Sequence, residues 1–218
     1  MIPKVILLNS ISVNGISNDI RAESEIMNQI QPEIKFDALL MDTNTLKILT
    51  KTELHDNSQT PNNNVNIPFL VVPDINGDII SWKEILKNNN IKELLVICSR
   101  ATPQKYLNYL DENSINYMII GYDDVNFPTA LEELNVQFGV KTVLVNGDGF
   151  LNTKLIADDL VEEINVLITP KLDMGVNKYD VYHDNGEDSQ NLDLRLLDIK
   201  KLKNEIIFIK YRIMKYIF

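Results

Sequence analysis

The sequence predicts an α/β fold built on a mixed sheet, and three observations carry that prediction. Short apolar runs recur along the chain and alternate with stretches of helical periodicity. The runs are apolar at successive positions, as in strands covered on both faces. Towards its end the chain changes character and reads as two extended segments around one turn.

In chain order, the strand candidates are Val5–Leu8, Ala38–Met41, Phe69–Val72, Leu94–Cys98, Tyr117–Ile120, Thr142–Val145 and Ile164–Ile168. Each is rich in Val, Ile and Leu. Helix candidates lie between them. Ile20–Ile30 carries apolar residues at helical spacing. Thr102–Asn113 opens with Thr102 as N-cap and Pro103 at the first helical position, and sets Tyr106, Leu107 and Leu110 on one face. Pro128–Phe138 begins with proline and stops at Gly139, the usual asymmetry of a helix. Leu151–Leu160 follows a glycine-containing turn. The closing segments, Leu192–Leu202 and Ile206–Ile217, form a hairpin around Lys203-Asn204, with Ile207, Ile209, Tyr211 and Ile213 at period two. Glu53–Asn66 and Asp173–Ser189 read as loops.

A chain of 218 residues with 44% apolar and 24% charged content suits one globular domain over residues 1–218. Its net charge of −10 makes it a poor general partner for nucleic acid or an anionic membrane. Cys98 is the only cysteine, so no intrachain disulfide forms, which fits a reducing cytoplasm. The first apolar run is too short for a signal segment, and no apolar stretch reaches the roughly 18 residues of a membrane span. His55 and His183 stand alone in loops, so no metal site is expected. No nucleophile–base triad or Walker loop stands out, and no residue is singled out as catalytic. Glu162-Glu163 reads as a solvated helix end.

Four stretches could carry chemistry. In Val143–Asn152 a buried strand runs through Gly147-Asp148-Gly149 into a helix. Glycines allow close backbone approach, and a helix N-terminus offers free amides to a phosphate. The same pattern also makes a plain tight turn, and the full Gly-x-Gly-x-x-Gly fingerprint is absent because position 152 is Asn. In Ile97–Pro103, Ser99 and Arg100 follow a strand, where hydroxyl and guanidinium suit phosphate oxygens, or where Ser99 merely caps. Leu8–Gly15 runs from a strand into an Asn14-Gly15 turn with polar side chains. Asp42–Thr45 offers hydroxyls to a cofactor, or Thr43 as a cap.

Together these segments resemble the pyrimidine reductases of riboflavin biosynthesis. The match is clearest over Gly139–Thr142, Gly147–Asn152, Leu160–Ile164 and Thr169–Leu172. Val5–Gly15, Phe36–Thr45 and Ser99–Pro103 with Tyr106 and Leu110 add to it, so the likeness runs from Pro3 to about Gly175. It implies a dihydrofolate-reductase-like three-layer fold, a mixed central sheet with flanking helices and the C-terminal antiparallel hairpin. It implies NADPH as cofactor, a small phosphorylated substrate, and reduction of the ribosyl group of a diaminopyrimidine ribosylamino 5′-phosphate to ribityl. Carried over by position, Gly147, Asp148, Gly149 and Phe150 would line the cofactor phosphates. Thr45, Ser99, Arg100 and Gly121 would complete the cofactor groove, and Asn9, Ser12, Asn14 and Asn146 would face substrate.

Several positions depart from the family pattern. Asn14 replaces an Asp, Asn146 a Glu, and Asp42 and Asp148 replace glycines. An Asp beside a phosphate is unfavourable. The departures leave open a reductase of the same fold acting on another small molecule, or a ligand-binding relative without catalysis. The last strand, with Ile206–Ile209, Tyr211, Ile213, Met214 and Tyr216–Phe218, is apolar on both faces. As a sheet-terminal strand it would expose a patch, so a homodimer is expected, as the resemblance also implies.

Overall fold

The computed structural model describes residues 1–17, 30, 34–47, 68–85, 92–174, 182 and 191–215. In chain order these form β1 (Lys4–Ile11), β2 (Ala38–Leu40), β3 (Phe69–Pro73), α1 (Trp82–Ile85), β4 (Glu93–Cys98), α2 (Gln104–Glu112), β5 (Asn116–Ile119), α3 (Phe127–Phe138), β6 (Thr142–Val145), α4 (Gly149–Ala157), β7 (Val161–Ile168), β8 (Leu194–Lys201) and β9 (Ile207–Ile213). Residues 43–47 are also helical. The expected helix Ile20–Ile30, apart from Ile30, the loop Glu53–Asn66, most of Asp173–Ser189 and both histidines lie outside the described residues.

The chain divides into two compact units. The first holds Met1–Pro3 and Phe36–Val143. Its strands β2, β3, β4 and β5 are all parallel, in the order β5-β4-β3-β2. The register sets Leu70 beside Leu94 and Val72 beside Val96. Their side chains share one face with Cys98 and pack with Trp82, Leu107 and Leu110 in one apolar cluster. Val71, Leu95 and Ile97 on the other face are buried too. This two-sided burial is why the strands read as unbroken apolar runs.

Local signals set the helix ends. Asn126 caps α3, its side chain accepting from the Thr129 amide, and Gly139 ends the helix at φ +69°. The start of α2 departs from expectation. Pro103, not Thr102, takes the N-cap position, and among the described residues no side chain caps this helix. Thr102 Oγ1 instead accepts from the Ser99 amide at 3.0 Å.

The second unit holds Lys4–Lys35 and Leu144–Phe218. Here β1 and β7 are parallel, while β7–β9 and β9–β8 are antiparallel, so the sheet is mixed as expected. The closing hairpin turns through Lys203–Glu205, with Asn204 and Glu205 both near φ +60°. Two expectations need correction. Glu163 is not at a solvated helix end but lies buried in β7, paired with Lys4 at 2.6 Å and Arg212 at 3.7 Å. The last strand is not sheet-terminal, because β9 sits between β7 and β8. Phe208 and Ile213 are accordingly buried, and the exposed apolar side chains of these two strands are Leu194, Leu196, Leu197 and Ile199 on β8 with Ile207 on β9.

Candidate functional site

In the first unit, every parallel strand ends at the same edge of the sheet, where open α/β sheets take their ligands. Ser99 and Arg100 follow β4, and Gly121 follows β5. Backbone bonds join the two segments: the Arg100 amide donates to Gly121 O at 3.3 Å and the Ala101 amide to Tyr122 O at 3.0 Å. Gly121 sits at φ +97°, and a Cβ there would lie 2.0 Å from Asp124 O, so only glycine fits. Ser99 is buried, and its Oγ accepts from the Ala101 amide at 3.2 Å. Arg100 is exposed, and its guanidinium makes no ion pair among the described residues.

Thr45 follows β2 at the same edge. Asp42, not Thr43, caps the helical segment 43–47. One of its carboxylate oxygens accepts from the Thr45 amide at 2.8 Å, the other from the Thr45 hydroxyl at 2.6 Å.

Between these segments, after β3, lies a group that sequence reasoning missed. The buried carboxylate of Asp74 accepts from the amides of Asp78 (2.8 Å) and Ile79 (3.0 Å) and from the Tyr106 hydroxyl (2.6 Å). Trp82 Nε1 donates to the same Tyr106 oxygen at 2.9 Å. Burial pushes the Tyr106 hydroxyl pKa up, and Asp74 adds to the rise. Burial likewise raises the Cys98 thiol to about 12, opposed by its hydrogen bond to Thr102 and assisted by Asp74. Neither group ionises near neutral pH. The network fixes the loop after β3 against α2. Its only sequence signal was Pro73-Asp74 followed by Asn76-Gly77, which looks like an ordinary turn.

In the second unit, Asn9 lies in β1, only 5% exposed, and its Oδ1 has no hydrogen-bond partner among the described residues. A buried amide oxygen left unpaired costs stability unless something else supplies the donor. Asn146, at the end of β6, is also buried. Ser12 and Asn14 are engaged in the fold. Ser12 Oγ accepts from the Ile16 amide at 3.1 Å and donates to Asn14 Oδ1 at 2.8 Å. Asn14 Nδ2 donates to Asp173 O at 2.8 Å, while its Oδ1 accepts from the Asp173 amide at 3.1 Å. An amide can do both, but a carboxylate cannot donate. The Asn at this position is therefore what the clamp between the two segments requires.

The glycine-containing turn leads into α4. Its amides were expected to be free, and two of them are not. Asp148 is the N-cap, and its Oδ1 accepts from the amides of Phe150 (3.1 Å) and Leu151 (3.0 Å). A carboxylate here is favoured by the helix dipole and by charge-assisted hydrogen bonds. Gly147 is packed so closely that a Cβ would lie 2.7 Å from Leu151 Cδ2. Phe150 is exposed. Among the described residues, no group of His, Cys, Asp and Glu could hold a metal ion, and no helix is long and apolar enough to cross a membrane.

The architecture and these edges define an α/β fold of the dihydrofolate reductase type, shared with pyrimidine reductases. The chain belongs to the RibD C-terminal domain family, whose model matches residues 3–208, and its class is that of the riboflavin-pathway pyrimidine reductases, which are oxidoreductases. No curated protein matches it by sequence. Among solved structures it is similar to a pyrimidine reductase-like protein of Corynebacterium diphtheriae, with 14% identity over 98% of this chain and 93% of that one, at a TM-score of 0.76. The riboflavin biosynthesis reductase of Saccharomyces cerevisiae shares 18% identity over 98% and 90%, with TM-score 0.67. The RibD protein of Acinetobacter baumannii shares 17% over 98% of this chain, which spans 58% of that longer one, with TM-score 0.67.

Proposed function

We propose that the protein uses NADPH to reduce the ribosyl group of a diaminopyrimidine ribosylamino 5′-phosphate to ribityl. The family match over residues 3–208 carries this reading. Within the chain, support comes from the Oδ1 of buried Asn9, which has no partner among the described residues and is an acceptor ready for a substrate hydroxyl or amine. Asn146 would face the same substrate.

For the dinucleotide, the residues give two different answers. The exposed Arg100 guanidinium fits a 2′-phosphate and would select NADPH over NADH, with Thr45, Ser99 and Gly121 shaping that edge. The turn Gly147–Phe150 does not fit a pyrophosphate as it stands, because Asp148 holds the amides of Phe150 and of Leu151 just after it.

A second reading, a reductase acting on another small molecule, is favoured by Asn14, whose amide is committed to Asp173 rather than offered to substrate. Titration with NADPH followed by a turnover assay on the diaminopyrimidine separates the readings. Binding with turnover supports the first. Binding without turnover favours the second, and no binding favours a ligand-binding relative without catalysis.

A homodimer in the cytoplasm belongs to the same proposal. Leu194, Leu196 and Ile199 are exposed along the edge strand β8, and the register places them on one face with Ile207 and Tyr211 of β9. An edge strand with an apolar face suits a second copy of the chain. Light scattering reads this directly: a mass near 25.0 kDa at all concentrations would eliminate the dimer.

A further inference from the structure

The geometry points to Asp148 as a built-in anion that closes the start of α4 to ligand phosphates. Its Oδ1 takes the amides of Phe150 and Leu151, the donors a phosphate would use at a helix N-terminus. The turn is pinned from both sides. Leu151 packs against Gly147, and Asn152 Nδ2 donates to Gly147 O at 3.2 Å. A ligand phosphate can reach these amides only by displacing the carboxylate, and it meets a like charge as it does so. Asp148 is therefore a specificity-determining residue. It biases this turn against pyrophosphate and towards ligand groups that carry no negative charge.

Asp42 shows the same device elsewhere in the chain. It too stands where the resembling family has glycine, and it too fills donors at the start of a helical segment. Both acidic departures are caps, so neither leaves a free carboxylate waiting beside a phosphate.

This inference rests on the cofactor reading and refines it, and one experiment separates the two. Amide spectra of the intact chain are titrated with inorganic pyrophosphate, for the wild type, Asp148→Gly and Asp148→Asn. In the wild type the Phe150 and Leu151 resonances should show no saturable shift. In Asp148→Gly both should shift saturably, with affinity higher by about tenfold or more, the scale of one charge-assisted hydrogen bond. Asp148→Asn keeps an acceptor for the cap but loses the charge, and should fall between. It also carries the test if the glycine variant does not fold. Wild-type amides that bind as tightly as the variants, or variants that gain nothing, would overturn the inference. NADPH is titrated in parallel into the wild type. Binding that leaves Phe150 and Leu151 unmoved upholds both readings. Absence of NADPH binding alongside a pyrophosphate gain in the variants upholds this inference and overturns the cofactor reading. NADPH binding that shifts the two amides in the wild type overturns the inference alone.

Discussion

After β4 the chain passes through Ser99-Arg100 into α2, and after β6 it passes through Gly147-Asp148 into α4. Both are buried strands leading into helices through residues that suit phosphate. At α2 the N-cap is Pro103, no side chain among the described residues caps the helix, and a guanidinium stands exposed next to it. At α4 a carboxylate fills the first turn. The glycine-containing turn, which looks more like a phosphate cradle in sequence, is the closed one. The comparison teaches that a spacing motif reports room for an anion, while the capping residue decides whether the anion is already present.

The largest expected effect breaks the open region. Gly121→Ala puts a Cβ 2.0 Å from Asp124 O at a φ of +97°. Because Gly121 O also holds the Arg100 amide, the edge should distort, at a cost of about 3 kcal/mol in urea unfolding. A loss below about 1 kcal/mol would mean that the loop relaxes freely.

Next comes the charge itself. Arg100→Ala should weaken NADPH by about 1.5–3 kcal/mol, the range for a hydrogen bond to a charged group, and leave NADH nearly unchanged. Equal losses for both cofactors in calorimetry would move the 2′-phosphate elsewhere.

Restoring the family's residue at Asn14 sharpens the comparison from the other side. Asn14→Asp sets two acceptors 2.8 Å apart where Asn14 now donates to Asp173 O. We expect a loss of about 1–2 kcal/mol in stability and no gain in turnover. A stabilised variant with higher turnover would show that position 14 serves the substrate and not the clamp.

Much of the fold was legible because burial on both faces writes continuous apolar runs. The strand Thr142–Val145 was placed with its observed bounds, and most others fell within a residue or two. Strand order was less legible. Nothing local in Ile207–Ile213 says that β8 lies outside it, and so an internal strand was taken for an edge. Glu163 was misjudged because an acidic pair reads as solvated, whereas only Glu162 is exposed and the buried Glu163 meets Lys4 and Arg212. At the site, the residue types at each carboxyl edge were readable, but their hydrogen-bond commitments were not. Asp148 directly before a helix is an N-cap signal on its face, yet beside two glycines it read as a charge hostile to phosphate. Asp74 was missed because its partners, Tyr106 and the amides of Asp78 and Ile79, come together only in the fold.

A smaller effect follows from the same buried network. The Cys98 thiol is raised from 9.0 to about 12, so between those values the unfolded chain is ionised while the folded chain stays protonated. The stability this group contributes is fully present below pH 9 and should decline as pH rises towards 12. Cys98→Ala should flatten that decline in pH-dependent denaturation. Native protein at pH 8 should also leave a thiol reagent unreacted, and rapid labelling would contradict the burial.

The central claim is that the edge at Arg100 is open to an anionic cofactor and the turn at Asp148 is shut. An amide spectrum of the wild-type protein titrated with NADPH tests both halves at once. The account predicts saturable shifts at Arg100 and Ala101 with Phe150 and Leu151 unmoved. Shifts at Phe150 and Leu151 with Arg100 and Ala101 silent would contradict it.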